Sequence, residues 1–117
     1  MHRFNMAHRK AATAVFPAAD AAGIPIVAFT ATRWGTLLRG HPEWSGPVPT
    51  AAECYQFCLA APAVQVVLSA PKTTRQLRAN LGILQADAMT SSTMAAWESY
   101  GDVVYAGGRD RFERMWP

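Results

Sequence analysis

An α/β fold built on parallel strands is predicted for this chain by three features. Helix and strand signals alternate along it, its strand candidates are apolar on both faces, and its 117 residues suit a single domain, 1–117. Half of the residues are apolar, 16% are charged, and Gly and Pro contribute eight each, a mix that excludes bulk disorder, collagen and coiled coil. The longest apolar runs, such as Ala63 to Leu68, fall far short of the ~20 residues of a membrane span, so no membrane is expected to be crossed. Two cysteines are too few for a disulfide scaffold. The N-terminus carries His2, Arg3, His8, Arg9 and Lys10 without the apolar stretch of a signal peptide, which points to a cytoplasmic protein.

The opening residues Met1 to Asn5 are a weak strand candidate ahead of the first helix. Lys10 to Ala22 is alanine-rich and predicts that helix, with Gly23 as its stop. Pro17 lies inside the stretch and lacks a backbone donor, so a kink or a restart is expected near Phe16. Ile24 to Thr30 is β-branched and aromatic with its proline at the start, where a strand tolerates it, and reads as a buried parallel strand. Between Arg33 and Pro49 stand Gly35, Gly40, Gly46, Pro42, Pro47 and Pro49, which predict a long loop; Trp34 and Trp44 argue that it is ordered.

Thr50-Ala51-Ala52-Glu53 has the spacing of a capping box, in which each side chain satisfies the other residue's free backbone donor. The helix it opens runs through Cys54, Tyr55, Phe57, Cys58 and Leu59 until Pro62 stops it. Ala63 to Ser69 reads as a second buried strand. Thr73 and Gln76 repeat the capping pattern, with Leu77, Leu81 and Leu84 at helical spacing behind them. Thr90 or Ser91 caps a fourth helix carrying Met94, Trp97 and Tyr100, before Gly101 loosens the pattern and Gly107-Gly108 leads into a basic, aromatic tail. Successive parallel strands imply right-handed crossovers, and three strands leave a sheet with two open edges.

The net charge is +3, and nine of the eleven cations are arginine. Arg109, Arg111 and Arg114 cluster near the C-terminus and Arg75 and Arg78 in one short segment. Clusters of this kind meet phosphates or simply form a solvated surface. No zinc-finger spacing, basic zipper or RNA-binding aromatic signature accompanies them, so no nucleic-acid partner is expected. Cys54, Cys58 and the histidines lack the spacing of a zinc site, so no metal is expected and the two thiols read as small buried hydrophobes. Ser69 lacks the context of a nucleophile elbow.

Three segments carry a family resemblance. Phe4-Asn5-Met6-Ala7-His8-Arg9 is similar to the Tyr-Asn-x-x-His/Asn-Arg segment that leaves the sixth strand of an aldo/keto reductase barrel. Gly23-Ile24-Pro25-Ile26-Val27-Ala28-Phe29-Thr30, followed by Gly35-Thr36-Leu37-Leu38-Arg39-Gly40, resembles that family's Gly-Ile-x-Val-x-Ala-Tyr-Ser strand and its Gly-x-Leu-x-Gly loop. Pro71-Lys72-Thr73 with Gln76, Leu77 and Asn80 resembles the cofactor segment after the eighth strand. The resemblance implies a partial TIM barrel: strands six to eight, their helices and the C-terminal helix of a (β/α)8 barrel, which needs about 250 residues when whole.

The function implied by the resemblance is that of an NAD(P)H-dependent carbonyl oxidoreductase. The family's catalytic Asp, Tyr, Lys and His lie in the other half and have no match here, so no catalytic residue is assigned and the chain alone is expected to be inactive. Phe29 matches the aromatic residue that stacks on the nicotinamide, and reads equally as a core aromatic. Thr30 matches a Ser that meets the pyrophosphate, or is an ordinary loop hydroxyl. Lys72 and Thr73 match the pair that holds the 2′-phosphate of NADP(H), with Arg75 as the alternative phosphate ligand. Gln76 and Asn80 match positions that contact adenine and ribose, while Ala79 stands where most members have Glu. The competing reading is a non-enzymatic half-barrel that binds nucleotide weakly or acts as a scaffold. Bare strand edges and an uncovered inner face further imply a partner, either a second copy or an N-terminal half-barrel.

Overall fold

The computed structural model describes residues 1–106; the basic tail of the sequence lies outside them. Three parallel strands, β1 (His2–Arg3), β2 (Ile26–Phe29) and β3 (Val64–Val67), stand side by side in chain order. Between them run α1 (Val15–Ala21) and α2 (Ala51–Leu59); α3 (Thr74–Leu81) and α4 (Ser91–Ala106) follow. The strands succeed one another in space as in sequence, each joined to the next by a helix.

The helix expected over Lys10–Ala22 is broken. A 3₁₀ turn covers Lys10–Ala12 and α1 begins at Val15, so Pro17 sits in the first helical turn, where its missing N–H has no intrahelical acceptor to lose. Gly23 ends α1 as predicted. It adopts φ +66°, which lets its own N–H reach Asp20 O (3.0 Å) and that of Ile24 reach Ala19 O (2.8 Å) in a Schellman motif.

Both expected strands are shorter than their apolar runs. Ile24 is used by the helix terminus and is 60% exposed, and Thr30 turns away at φ +60°. Neither strand is buried on both faces. Ile26 and Ala28 of β2 pack under the helices while Val27 and Phe29 are half-buried, and in β3 Val64 is buried whereas Val66 and, just beyond the strand, Leu68 are 48% and 45% exposed. The register pairs Val27 with Val66 and Arg3 with Phe29, so alternation gathers these side chains on the face that no helix among the described residues covers.

On the helix side one core forms around Phe4, whose ring lies 4.9 Å from Phe16 and 6.0 Å from Phe57. The Thr50–Glu53 capping box is complete, Glu53 N donating to Thr50 Oγ1 (3.2 Å) and Thr50 N to Glu53 Oε2 (2.8 Å). It directs Cys54, Tyr55, Phe57 and Cys58 inward. Both cysteines are free, fully buried thiols; burial pushes each up from the ordinary 9.0 to about 12, and Cys58 Sγ donates to Phe4 O (3.2 Å). They behave as the small hydrophobes expected.

Thr90, not Ser91, caps α4, accepting from Thr93 N at 3.2 Å. Gly101 does not loosen this helix, which continues to Ala106. A Cβ at position 101 would overlap the Met6 carbonyl, so the glycine lets α4 lie directly on the chain leaving β1. The long loop after β2 is ordered, with a 3₁₀ turn at Thr36–Arg39, and is held by α4: Tyr100 OH donates to Leu37 O (2.8 Å), Arg33 Nη1 to Val104 O (2.9 Å), and Trp44 packs 5.4 Å from Tyr100. The leucines of α3 and of the 3₁₀ turn after it, Gly82–Gln85, are the clearest departure. Leu77, Leu81 and Leu84 are 44%, 49% and 78% exposed and α3 buries no residue, because β3, against which it would pack, is itself an open edge.

Candidate functional site

Parallel strands direct their C-terminal ends to one side, and the loops that leave those ends are where an α/β sheet places its ligands. Three exits lie there: Asn5 after β1, Thr30 after β2, and Ser69 with Pro71–Asn80 after β3.

Phe29 occupies the last position of β2 on the uncovered face, half-buried, beside Arg3 of β1 in register. Thr30 follows in a left-handed conformation and its Oγ1 donates to Phe29 O (2.6 Å). Arg33 (φ +49°) and Trp34 (φ +52°) repeat that rare geometry, which concentrates strain immediately beyond the strand. Arg3 stacks over the Trp34 ring at 5.2 Å.

At the third exit, Thr73 caps α3 by accepting from Gln76 N (3.2 Å), and Gln76 Oε1 reaches one residue further back to accept from Lys72 N (2.7 Å). Lys72, Thr73 and Arg75 are all exposed around this helix start, where the helix dipole and the unused amides favour an anion. Asn80 lies one turn beyond Gln76 and its Nδ2 donates to Ser69 Oγ (2.8 Å), which also accepts from Tyr55 OH (3.1 Å). Lys72, Thr73, Arg75 and Gln76 are therefore brought together at the start of α3, with Asn80 one turn further along it, whereas Phe29 and Thr30 stand at the neighbouring strand.

Three contributors were not singled out from the sequence. Ser69 and Tyr55 anchor Asn80 to the end of β3, and no motif marks them. Asn5 is fully buried just beyond β1, and its signal was present, a polar residue amid apolar neighbours in a segment with a family resemblance.

No protein-family model matches the sequence and no curated protein is similar to it. Solved structures are. The aldo-keto reductase AKR11C1 of Bacillus halodurans superposes in its apo form with a TM-score of 0.67 at 19% identity, over 95% of this chain. Its holo form superposes with a TM-score of 0.63 at 20% identity, over 97%. The fold is that of part of an aldo-keto reductase barrel. This chain spans 44% of the length of either structure, so the partial (β/α)8 architecture expected from the three segments is the one observed. Among the described residues, no helix is long and apolar enough to cross a membrane.

A nicotinamide dinucleotide asks a barrel of this kind for a flat apolar face, donors for its phosphates and contacts for its adenosine. Phe29 is a half-buried aromatic side chain at the end of β2, and Lys72, Thr73 and Arg75 are exposed donors at the start of α3. Gln76 Nε2 and Asn80 Oδ1 make no hydrogen bond among the described residues, so each side chain keeps one polar atom for a ligand. The residues present fit the group.

Proposed function

We propose that this chain, as one domain, carries the dinucleotide-binding part of an NAD(P)H-dependent aldo-keto reductase, corresponding to strands six to eight of the barrel and its C-terminal helix. The observation that supports the reading best is the gathering of Lys72, Thr73, Arg75 and Gln76 at the start of α3, with Asn80 one turn beyond Gln76, on a fold shared with AKR11C1. The cofactor, when bound, supplies hydride to a carbonyl. Lys72, Thr73 and, in reserve, Arg75 hold its 2′-phosphate through charge-assisted hydrogen bonds and so prefer NADP(H) to NAD(H). Thr30 and the amides that follow it meet the pyrophosphate, Phe29 offers its ring to the nicotinamide, and Gln76 and Asn80 contact the adenosine.

The protonating Asp, Tyr, Lys and His of the family have no counterpart in these 117 residues. General acid catalysis contributes ~10²–10⁴-fold, so the chain by itself leaves aldehydes unreduced. Calorimetric titration with both nucleotides tests the binding: the wild type prefers NADP(H), and Lys72→Ala loses about tenfold of that preference. Equal affinity for the two nucleotides in the wild type refutes the assignment. A loss in Arg75→Ala alone transfers the phosphate to Arg75.

A second reading, a non-enzymatic half-barrel that binds nucleotide weakly or serves as a scaffold, draws on the engagement of Gln76 and Asn80 inside the protein. In both readings the uncovered face of Val27, Phe29, Val66 and Leu68 takes a partner, a second copy or an N-terminal half-barrel. Light scattering on the purified chain reads this directly, and a monomer with a cooperative melt counts against it. Two free buried thiols suit the reducing cytoplasm.

A further inference from the structure

The turn after β2 poses a physical problem. Thr30 is β-branched and sits at φ +60°, a conformation that costs of order 1–3 kcal/mol and persists only where surrounding contacts enforce it. The enforcing contact comes from 25 residues earlier. Asn5 Nδ2 donates to Thr30 O at 2.9 Å, and the same oxygen accepts from Arg33 N at 2.9 Å, so both of its lone-pair positions are filled. Asn5 is itself immobilised. Its Oδ1 accepts from Ala7 N and His8 N, each at 3.0 Å, and lies 3.2 Å from His8 Nδ1, and its side chain is wholly buried.

A carboxamide is the side chain that meets both demands at this length, because one end must accept from two amides while the other donates to a carbonyl. The consequence falls on the next residues. Fixing the Thr30 carbonyl fixes the peptide plane shared with Ala31, and the amides of Ala31 and Thr32 make no hydrogen bond among the described residues. Successive unpaired amides beside a left-handed residue form the kind of concavity that takes an anion.

We propose that Asn5 is a positioning residue: through its bond to Thr30 O it holds the turn after β2 in the conformation that presents the Ala31 and Thr32 amides to the diphosphate of a bound dinucleotide. Its role rests on the dinucleotide reading above only for the identity of the anion; the control of the turn by Asn5 stands on the hydrogen bonds alone.

Asn5→Asp separates the two ends of the side chain. The carboxylate still accepts from Ala7 N and His8 N and can no longer donate to Thr30 O. The amide resonances of residues 30–35 are expected to shift in this variant while those of residues 7 and 8 stay near their wild-type positions, and NADP⁺ affinity falls about tenfold. Adding Thr30→Gly, which adopts the left-handed conformation without enforcement, returns the resonances of residues 31–35 towards the wild type. Should Asn5→Asp not fold, Asn5→Ser is carried through the same pair of measurements. Unmoved resonances at 30–35, or no recovery on adding Thr30→Gly, overturn the proposal. A wild-type chain that binds no NADP⁺, together with shifted and glycine-rescued resonances, refutes the dinucleotide reading and leaves the control of the turn by Asn5 standing.

Discussion

Helices α3 and α4 are both long enough to anchor a sheet, yet they are attached in opposite ways. Helix α4 buries Trp97, Tyr100, Gly101 and Val104 and clamps the loop after β2 through Tyr100 and Arg33. Helix α3 buries nothing and is held at its start and along one edge by polar contacts from Thr73, Gln76 and Asn80. Burial supplies stability in proportion to apolar area, while exposed polar contacts contribute little and leave side chains accessible. Substitutions in α4 are therefore read in the melt, and substitutions in α3 in binding.

The sharpest way to break this contrast is at Gly101. Gly101→Ala drives a methyl group into the Met6 carbonyl, and only a backbone shift of α4 or of the chain leaving β1 relieves the overlap. Urea unfolding is expected to show a loss of about 3 kcal/mol or more, or no folded protein. An unchanged midpoint would mean that α4 does not lie on Met6.

Alkaline pH probes the same buried side through α2. The thiols of Cys54 and Cys58 titrate in the unfolded chain near 9.0 and in the folded one at about 12, chiefly because burial disfavours the thiolate. The unfolded state therefore sheds protons first. This contribution is whole below pH 9 and is lost progressively as pH rises towards 12, a fall on the order of a few kcal/mol that melts at stepped pH record. Cys54→Ala/Cys58→Ala flattens that slope.

Tyr100→Phe leaves Leu37 O without its donor in a buried place and costs about 1–3 kcal/mol of global stability. Thr73→Ala removes the cap on Gln76 N. Its cost, about 1 kcal/mol, is local, so hydrogen exchange speeds at the start of α3 while the melt of the whole protein barely moves. Leu84→Ser is the smallest test. The side chain is 78% exposed, and a change beyond about 0.5 kcal/mol in the denaturation midpoint would show that it packs after all.

Local rules in this chain were legible wherever one residue meets its own near neighbours. The Thr50–Glu53 box, the Thr73 cap and the Gly23 stop all form as their spacing predicts, because each closes a hydrogen bond within five residues. The segments around Phe29 and Lys72 were likewise marked as a candidate site by their order along the chain. What the sequence could not convey was which apolar residues find a cover. Leu77, Leu81 and Leu84 have the periodicity of a core face, and Val66 and Leu68 the composition of a buried strand, yet all five stand open.

Element type, capping and the family-like order of segments were thus determined by the sequence itself, since they depend on backbone geometry and contacts close along the chain. The tertiary structure alone decided the rest. Burial depends on what lies across the sheet, and among the described residues the helices lie on one side only. The joining of Asn5 to Thr30 depends on the pairing of β1 with β2, which sets together residues 25 positions apart. Gly101 acquired its meaning in the same way: along the chain a glycine weakens a helix, and only the approach of Met6 makes a residue without a side chain the one that fits.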